Sequence, residues 1–134
     1  WYNDGFLFPD MISCMVAVDE ATRENGCLQV LKGSHRAGRI EHAVAAGQTG
    51  ADLDRVNDLQ QRLELVYCEM KPGTALFFHS NLLHRSAANT SDNSRWCLIT
   101  CYFSESNIPE NPREGILIKD VIKSCPDDRL LEFG

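Results

Sequence analysis

The stretch LFFHSNLLHRSAANTSDNSRW, residues 76–96, organises the rest of the chain. It begins with three apolar and aromatic residues, which is typical of a buried strand. Residues 84–86 are also predicted to be extended, after a turn at Asn81. Because alternate side chains of an extended segment point to opposite faces, His84 and Ser86 share one face and Arg85 takes the other.

The second half of the stretch predicts a polar turn followed by another strand. Residues 89–94 are turn-forming polar residues. Arg95 then opens an apolar run that continues to Phe103. We expect a hairpin that brings the imidazole of His84, the hydroxyl of Ser86 and the guanidinium of Arg95 into one pocket. These three groups offer a metal ligand, a hydrogen-bond donor and a guanidinium that can bind a carboxylate in a bidentate fashion.

Two further strands are predicted before this stretch. Residues 11–19 form a continuous apolar run, which indicates a buried strand. Asn25-Gly26 is a strong hairpin signal, and residues 27–31 are predicted to be the return strand of that hairpin. A turn follows, in which Gly33 supplies unusual backbone angles.

The middle of the chain predicts one helix between less regular segments. Residues 38–50 are polar and rich in alanine and glycine, which indicates a loop with a helical turn. Residues 52–62 carry apolar side chains at helical spacing, and residues 63–70 alternate like a strand. Towards the C-terminus the pattern predicts, in order, a loop at 104–115, a short apolar segment at 116–118, a helical turn at 120–125 and a tail at 126–134.

Many short strands joined by tight turns, with one minor helix, indicate an all-β sandwich or barrel, and a jelly roll fits best. A ligand site is then expected in the mouth of the barrel. The 134 residues suffice for one domain with a real core. The aromatic start WYNDGFLFPD has no polar lead-in, which predicts a chain cut from a longer one.

Composition narrows the classes of partner and the compartment. A net charge of −6 with scattered basic residues argues against nucleic-acid binding, and the apolar runs are too short to span a bilayer. We expect a small-molecule substrate, no nucleic acid and no membrane, whereas the oligomeric state is not readable. Six cysteines without CxxC or zinc-finger spacing indicate reduced thiols in an intracellular, cytoplasmic protein. The chain ends in no peroxisomal tripeptide, and a peroxisomal location stays open.

Two separated segments together resemble the phytanoyl-CoA dioxygenase (PhyH) family. The first, ENGCLQVLKGSH at residues 24–35, is similar to the family's "NGxL…PGSH" segment, with Lys32 in place of the usual proline. The second, HRSAANTS at residues 84–91 followed by Arg95, is similar to the "HxSxxNxS…R" segment, with eleven residues from histidine to arginine. The resemblance covers about residues 10–103.

The resemblance implies an Fe(II)- and 2-oxoglutarate-dependent dioxygenase on a double-stranded β-helix, a cupin-like barrel. It makes His84 the distal iron ligand, Arg95 the residue that binds the far carboxylate of 2-oxoglutarate, and Ser86 a hydrogen-bonding partner of that carboxylate. Chemistry supports these roles, because imidazole suits Fe(II) and a guanidinium grips a carboxylate with two parallel bonds. The implied cofactors are Fe(II) and 2-oxoglutarate, with ascorbate as an option.

One part of the family pattern is missing. The other two iron ligands form a His-x-Asp motif in the family, and this sequence contains none. We therefore expect residues 1–134 to be a single, N-terminally truncated domain of this type, inactive by itself, with the motif upstream of Trp1. The alternative is that Asp4 or Asp10, with His35 or His42, completes the site.

The family's reaction couples oxidative decarboxylation of 2-oxoglutarate to hydroxylation of a small or acyl substrate. The expected function is therefore that of a dioxygenase. The alternative, motivated by the missing motif, is a non-catalytic jelly-roll binding module or a degenerate oxygenase relative.

Overall fold

Six of the strands build two antiparallel sheets. A computed structural model of the protein describes residues 1–45, 48–109 and 122–123. Its regular elements are β1 Met11–Ala17, β2 Leu28–Leu31, β3 His42–Ala45, β4 Gln48–Ala51, α1 Leu53–Gln60, β5 Leu65–Cys68, β6 Ala75–His79, β7 His84–Ser86 and β8 Cys97–Phe103. Short 3-10 turns lie at Tyr2–Asp4, Ser34–Ala37 and Glu105–Asn107.

The strands alternate between the two sheets along the chain. One sheet has the order β6-β1-β8 and the other β5-β2-β7, while β3 and β4 form a separate hairpin. From β5 onwards the chain runs from the second sheet to the first, back to the second and again to the first. This crossing is the topology of a double-stranded β-helix, and the predicted all-β jelly roll with one minor helix is confirmed.

Both predicted hairpins are wrong. β1 pairs with β6 and β8, and β2 pairs with β5 and β7, so residues 11–17 and 28–31 lie in different sheets. β7 and β8 likewise lie in different sheets. The physical reason is that each strand has an apolar face that is buried better against a facing sheet than beside its neighbour in sequence.

The core lies where the two sheets face each other. Met15 and Ala17 of β1 pack with Leu28 and Val30 of β2 in one buried cluster, with Phe78 of β6 against it. Met15 retains only 2% of its surface exposed. Burial of a side chain of this size stabilises the fold by roughly 1.5–3 kcal/mol, so this cluster holds the two sheets together.

The helix is found where it was predicted. α1 begins after Asp52, whose side chain accepts a hydrogen bond from the backbone N–H of Arg55 at 2.9 Å. This satisfies one of the backbone donors that the first turn of a helix leaves unpaired. The turn at Gly33 is also confirmed, with φ of 90° at that glycine.

The predicted loop at residues 38–50 is wrong, because β3 and β4 form a hairpin in which His42 lies opposite Ala51. The predictions for residues 110–121 and 124–134 lie outside the described residues. No helix in the described part of the chain is long and apolar enough to cross a membrane. Five of the cysteines, Cys14, Cys27, Cys68, Cys97 and Cys101, are free thiols.

Candidate functional site

The pairing of β7 with β2 fixes the direction of the side chains in the predicted site. His84 lies opposite Val30 and Ser86 lies opposite Leu28. Directly opposite residues of an antiparallel pair point to the same face, and both partners belong to the buried cluster between the sheets. His84 and Ser86 therefore lie on the inner face of their sheet, as the alternation predicts. Arg85 takes the outer face.

Arg85 is held away from the inner face by a neighbour on β2. Its Nε donates to Oε1 of Gln29 at 3.0 Å, and the two residues are register partners. The pair satisfies a buried amide, since Gln29 is only 6% exposed. Arg85 is therefore paired with Gln29 on the outer face of the sheet.

The ring of His84 has its proton on the side away from the site. Nδ1 lies 2.8 Å from the backbone carbonyl oxygen of Leu82. A carbonyl oxygen only accepts, so this hydrogen bond requires the proton on Nδ1 and leaves the lone pair on Nε2 of the neutral ring. Metal-binding histidines are oriented in the same way by backbone carbonyls. The ring also packs against Phe78 across the sheets, with centroids 5.2 Å apart, and stays solvent-accessible.

Of the other histidines, His42 has the same bond, with Nδ1 3.0 Å from the backbone carbonyl oxygen of Ile40, whereas His79 does not. Nδ1 of His79 accepts a hydrogen bond from the backbone N–H of Asn81 at 3.0 Å, which places the proton of the neutral ring on Nε2. His35 packs on His79, with ring centroids 5.7 Å apart. Within the described residues, no group of three histidine, cysteine, aspartate or glutamate side chains is placed to hold a metal ion. The alternative ligand set with Asp4 or Asp10 therefore finds no support there.

Arg95 lies in the segment between β7 and β8, close to the end of β2. It is half-buried, and it makes no hydrogen bond or ion pair with any residue that the structure describes. Burial raises the pKa of the Cys27 thiol, Glu69 adds to this rise, and the charges of Arg23 and Arg95 oppose it. The charge of the Arg95 guanidinium is thus close enough to Cys27 to lower the pKa of its thiol.

Two of the three predicted residues share the inner face, and Arg95 lies outside the strands. His84 is opposite Val30 and Ser86 is opposite Leu28, while Arg95 acts on the residue that immediately precedes Leu28. His84 and Ser86 are two strand residues apart, or roughly 7 Å.

A cavity of about 250 Å³ opens beside His84. Its walls combine polar and apolar side chains, among them Ile40, His42, Ser80, Asn81 and Leu83. The N-terminal aromatic residues border it: Trp1 Nε1 donates to Oδ1 of Asn81 at 2.6 Å, and the Tyr2 hydroxyl donates to the carbonyl of Ile40 at 3.1 Å. Trp1 and Tyr2 therefore lie next to this cavity.

Two residues that the sequence analysis did not single out, Asp19 and Ser34, hold the backbone next to the predicted site residues by hydrogen bonds. Asp19 accepts hydrogen bonds from residues 94 and 96, on both sides of Arg95. Ser34 accepts one from the backbone N–H of Leu83, next to His84. Ser34 follows Gly33 in the segment that resembles the family, and this position was the only feature of the sequence that could have indicated its role.

Comparison with known proteins shows the family of the chain. The family model for phytanoyl-CoA dioxygenase (PhyH) matches residues 1–97. A phytanoyl-CoA dioxygenase of Arabidopsis thaliana is 31% identical over 69% of this chain and 34% of its own length. L-proline trans-4-hydroxylase of Streptomyces griseoviridis is 30% identical over 84% of this chain and 48% of its own length.

Solved structures agree as well. EctD from S. alaskensis, with bound Fe, superposes with a TM-score of 0.69 at 30% identity, over 82% of this chain and 37% of that one. The same protein has been solved with 2-oxoglutarate and 5-hydroxyectoine, and that structure matches at 31% identity. The chain spans between a third and a half of the length of these relatives.

The chain therefore shares the fold of a protein that has been solved with bound Fe and with 2-oxoglutarate. The chain belongs to the phytanoyl-CoA dioxygenase (PhyH) family.

Proposed function

We propose that the protein to which this chain belongs is an Fe(II)- and 2-oxoglutarate-dependent dioxygenase that hydroxylates a small or acyl substrate. The observation that carries the proposal is His84 on the inner face, with Nδ1 bonded to the Leu82 carbonyl and Nε2 open for a metal. Ser86 on the same face supports the proposal, and so does Arg95, which has no hydrogen-bond or ion-pair partner among the described residues. When bound, the iron would couple O₂ to the decarboxylation of 2-oxoglutarate and the oxidation of a C–H bond.

Each of the three residues has a separate task in this proposal. His84 supplies one imidazole ligand, and the Leu82 carbonyl keeps its ring oriented. Arg95 pairs with the far carboxylate of 2-oxoglutarate through two parallel N–H bonds, and Ser86 adds a hydroxyl donor to the same group. The walls of the cavity beside His84 exclude water and present polar groups to a small substrate.

We further propose that residues 1–134 are part of one domain whose other two iron ligands, a His-x-Asp motif, lie upstream of Trp1. The support is that the described residues contain no three-ligand group and that the chain spans less than half of its relatives. By this proposal the 134-residue chain alone is inactive. We further propose an intracellular, cytoplasmic location, with a peroxisomal one left open, because the described cysteines are free thiols.

The test uses the full-length protein under anaerobic conditions, with Fe(II) and 2-oxoglutarate titrated separately. We expect His84→Ala to abolish Fe(II) binding, whereas His35→Ala, a matched histidine outside the site, retains it. Arg95→Ala removes a charge-assisted pair and costs about 1.5–3 kcal/mol, which is roughly a 10- to 150-fold weaker Kd for 2-oxoglutarate. Arg36→Ala, an exposed arginine, serves as its control. Unchanged iron binding in His84→Ala would refute the assignment.

A second candidate is a non-catalytic jelly-roll binding module. The observation that favours it is the lack of a three-ligand group within the residues that the structure describes. The two candidates differ in a single measurement, because only the dioxygenase releases succinate when Fe(II), 2-oxoglutarate and O₂ are supplied to the full-length protein. A full-length sequence with non-ligating residues in place of His-x-Asp, together with no succinate release, identifies the binding module.

A further inference from the structure

Among the described residues, no side chain or backbone group fixes the side chain of Arg95. It makes no hydrogen bond or ion pair within the described residues, and it lies outside the strands. An arginine side chain has about 2 kcal/mol of rotamer entropy to lose when it is immobilised on a ligand. The precision with which this guanidinium meets a carboxylate therefore depends on how firmly the backbone on either side is held.

Asp19 holds that backbone on both sides. One carboxylate oxygen of Asp19, Oδ2, accepts a hydrogen bond from the hydroxyl of Ser94 at 2.7 Å and from the backbone N–H of Trp96 at 2.9 Å. The backbone N–H groups of Val18 and Asp19 also donate to the carbonyl of Trp96, at 2.9 and 3.2 Å. Residues 94 and 96 are thus both tied to the end of β1.

The carboxylate is well suited to this task. The backbone N–H of Trp96 and then the hydroxyl of Ser94 hold the pKa of Asp19 below its usual value, so the group is ionised and acts as a strong acceptor. Asn25 adds a weaker tie, because its Nδ2 lies 3.5 Å from the carbonyl oxygen of Ser94. The connection between β1 and β2 therefore fixes the segment that carries Arg95.

We propose that Asp19 is a positioning residue that aims the guanidinium of Arg95 at the far carboxylate of 2-oxoglutarate, through its hydrogen bonds to Ser94 and Trp96. The inference rests on the proposed function. Asp19 itself touches neither the cosubstrate nor the metal, so it affects the cosubstrate affinity and leaves the iron affinity unchanged.

The test measures the Kd of the anaerobic Fe(II)-loaded full-length protein for 2-oxoglutarate, together with its Kd for Fe(II). We expect Asp19→Ala to weaken 2-oxoglutarate binding about tenfold, with iron binding unchanged. Asp19→Asn keeps one accepting oxygen and is expected to recover part of the affinity. Glu20→Ala, which removes the neighbouring exposed carboxylate, is the control and is expected to leave both constants as they are.

A double variant separates positioning from general damage. If Asp19 acts through Arg95, Asp19→Ala has no further effect on 2-oxoglutarate binding in an Arg95→Ala background. An additive effect, an equal loss of iron affinity or no effect of Asp19→Ala overturns the inference. If Asp19→Ala does not fold, Ser94→Ala removes one of the two ties from the other side, and it is expected to weaken binding about threefold. If Arg95→Ala itself leaves 2-oxoglutarate binding unchanged, the proposed function fails first.

Discussion

Gly26 offers the sharpest test of how the two family-like segments are fitted together. Its φ is +83°, and a Cβ placed on it would lie 2.5 Å from the backbone carbonyl oxygen of Ala87, immediately after Ser86. An L-residue in the left-handed region costs roughly 1–2 kcal/mol. Forcing apart two backbone segments adds roughly 1–3 kcal/mol more. We therefore expect Gly26→Ala to lower the free energy of unfolding by about 3 kcal/mol.

Gly73 supplies the matched control for this measurement. Its φ of +82° is nearly the same, yet no atom of the part of the chain that the structure describes lies within 4 Å of a Cβ built on it. Gly73→Ala is therefore expected to cost only the backbone term, about 1 kcal/mol. The difference between the two variants, about 2 kcal/mol, isolates the contact with Ala87.

Urea unfolding followed by circular dichroism measures both variants of the full-length protein. The slope of the unfolding free energy against urea is expected to stay the same, so that the shift in midpoint reports stability. Equal losses for Gly26→Ala and Gly73→Ala, within about 0.5 kcal/mol, would refute the close packing of Gly26 on Ala87. Because the clash moves the residue after Ser86, Gly26→Ala is also expected to weaken 2-oxoglutarate binding, whereas Gly73→Ala is not.

Three further predictions concern the supports of the site and the helix. Ser34→Ala removes the acceptor for the backbone N–H of Leu83, at 2.8 Å, and is expected to cost about 1–3 kcal/mol in urea unfolding because Ser34 is only 1% exposed. Asp52→Ala removes the cap of α1 and is expected to cost about 1 kcal/mol, more than Asp54→Ala in the same assay; equal losses would contradict the cap. The pKa of Asp19 lies below its unfolded value near 3.8, so its contribution is complete above that pH and is lost as the pH falls through the lower folded value. The difference in unfolding free energy between the native protein and Asp19→Asn should therefore be constant at neutral pH and close in acid; a gap that widens in acid would contradict the assigned hydrogen bonds.

Local patterns predicted what depends on local geometry. The alternation of residues 84–86 follows from the two-residue period of any strand, and the helix at Leu53–Gln60 follows from apolar spacing plus a capping aspartate. Both are properties of a short segment and survive folding unchanged. The roles of His84, Ser86 and Arg95 came from the resemblance to a family, and they stay predictions until binding is measured.

Pairing partners were not predictable from the same patterns. Asn25-Gly26 is a hairpin signal in most sequences, but here the Asn25 side chain closes its own turn by accepting from the N–H of Thr22 at 2.8 Å and donating to the carbonyl of Glu20 at 2.8 Å. The strands on either side then diverge into different sheets. Which sheet a strand joins depends on apolar faces contributed by residues far along the chain, and no short window contains that information. β3 and β4 were missed because alanine and glycine carry little strand preference.

The fixed order of the two family-like segments has a structural reason. The first segment contains no proposed ligand, yet it contacts the second on both sides of the proposed ligands. Ser34 accepts from the backbone N–H of Leu83 just before His84, and Gly26 lies so close to the Ala87 carbonyl, just after Ser86, that a Cβ on it would clash.

The first segment also forms hydrogen bonds with the chain between Ser86 and Arg95. The carbonyl of Glu24 accepts from both the N–H and the hydroxyl of Thr90, at 2.9 and 3.0 Å, and Asn25 reaches the Ser94 carbonyl. Two short sequences that look like separate motifs are therefore one structural unit. In this unit β2 and its flanking turns form the template, which means that they hold the second segment in place, and the second segment contains the proposed binding residues. A substitution in the template should change the affinity of the site without removing any group that binds, because hydrogen bonds and packing, not ligands, are what it contributes.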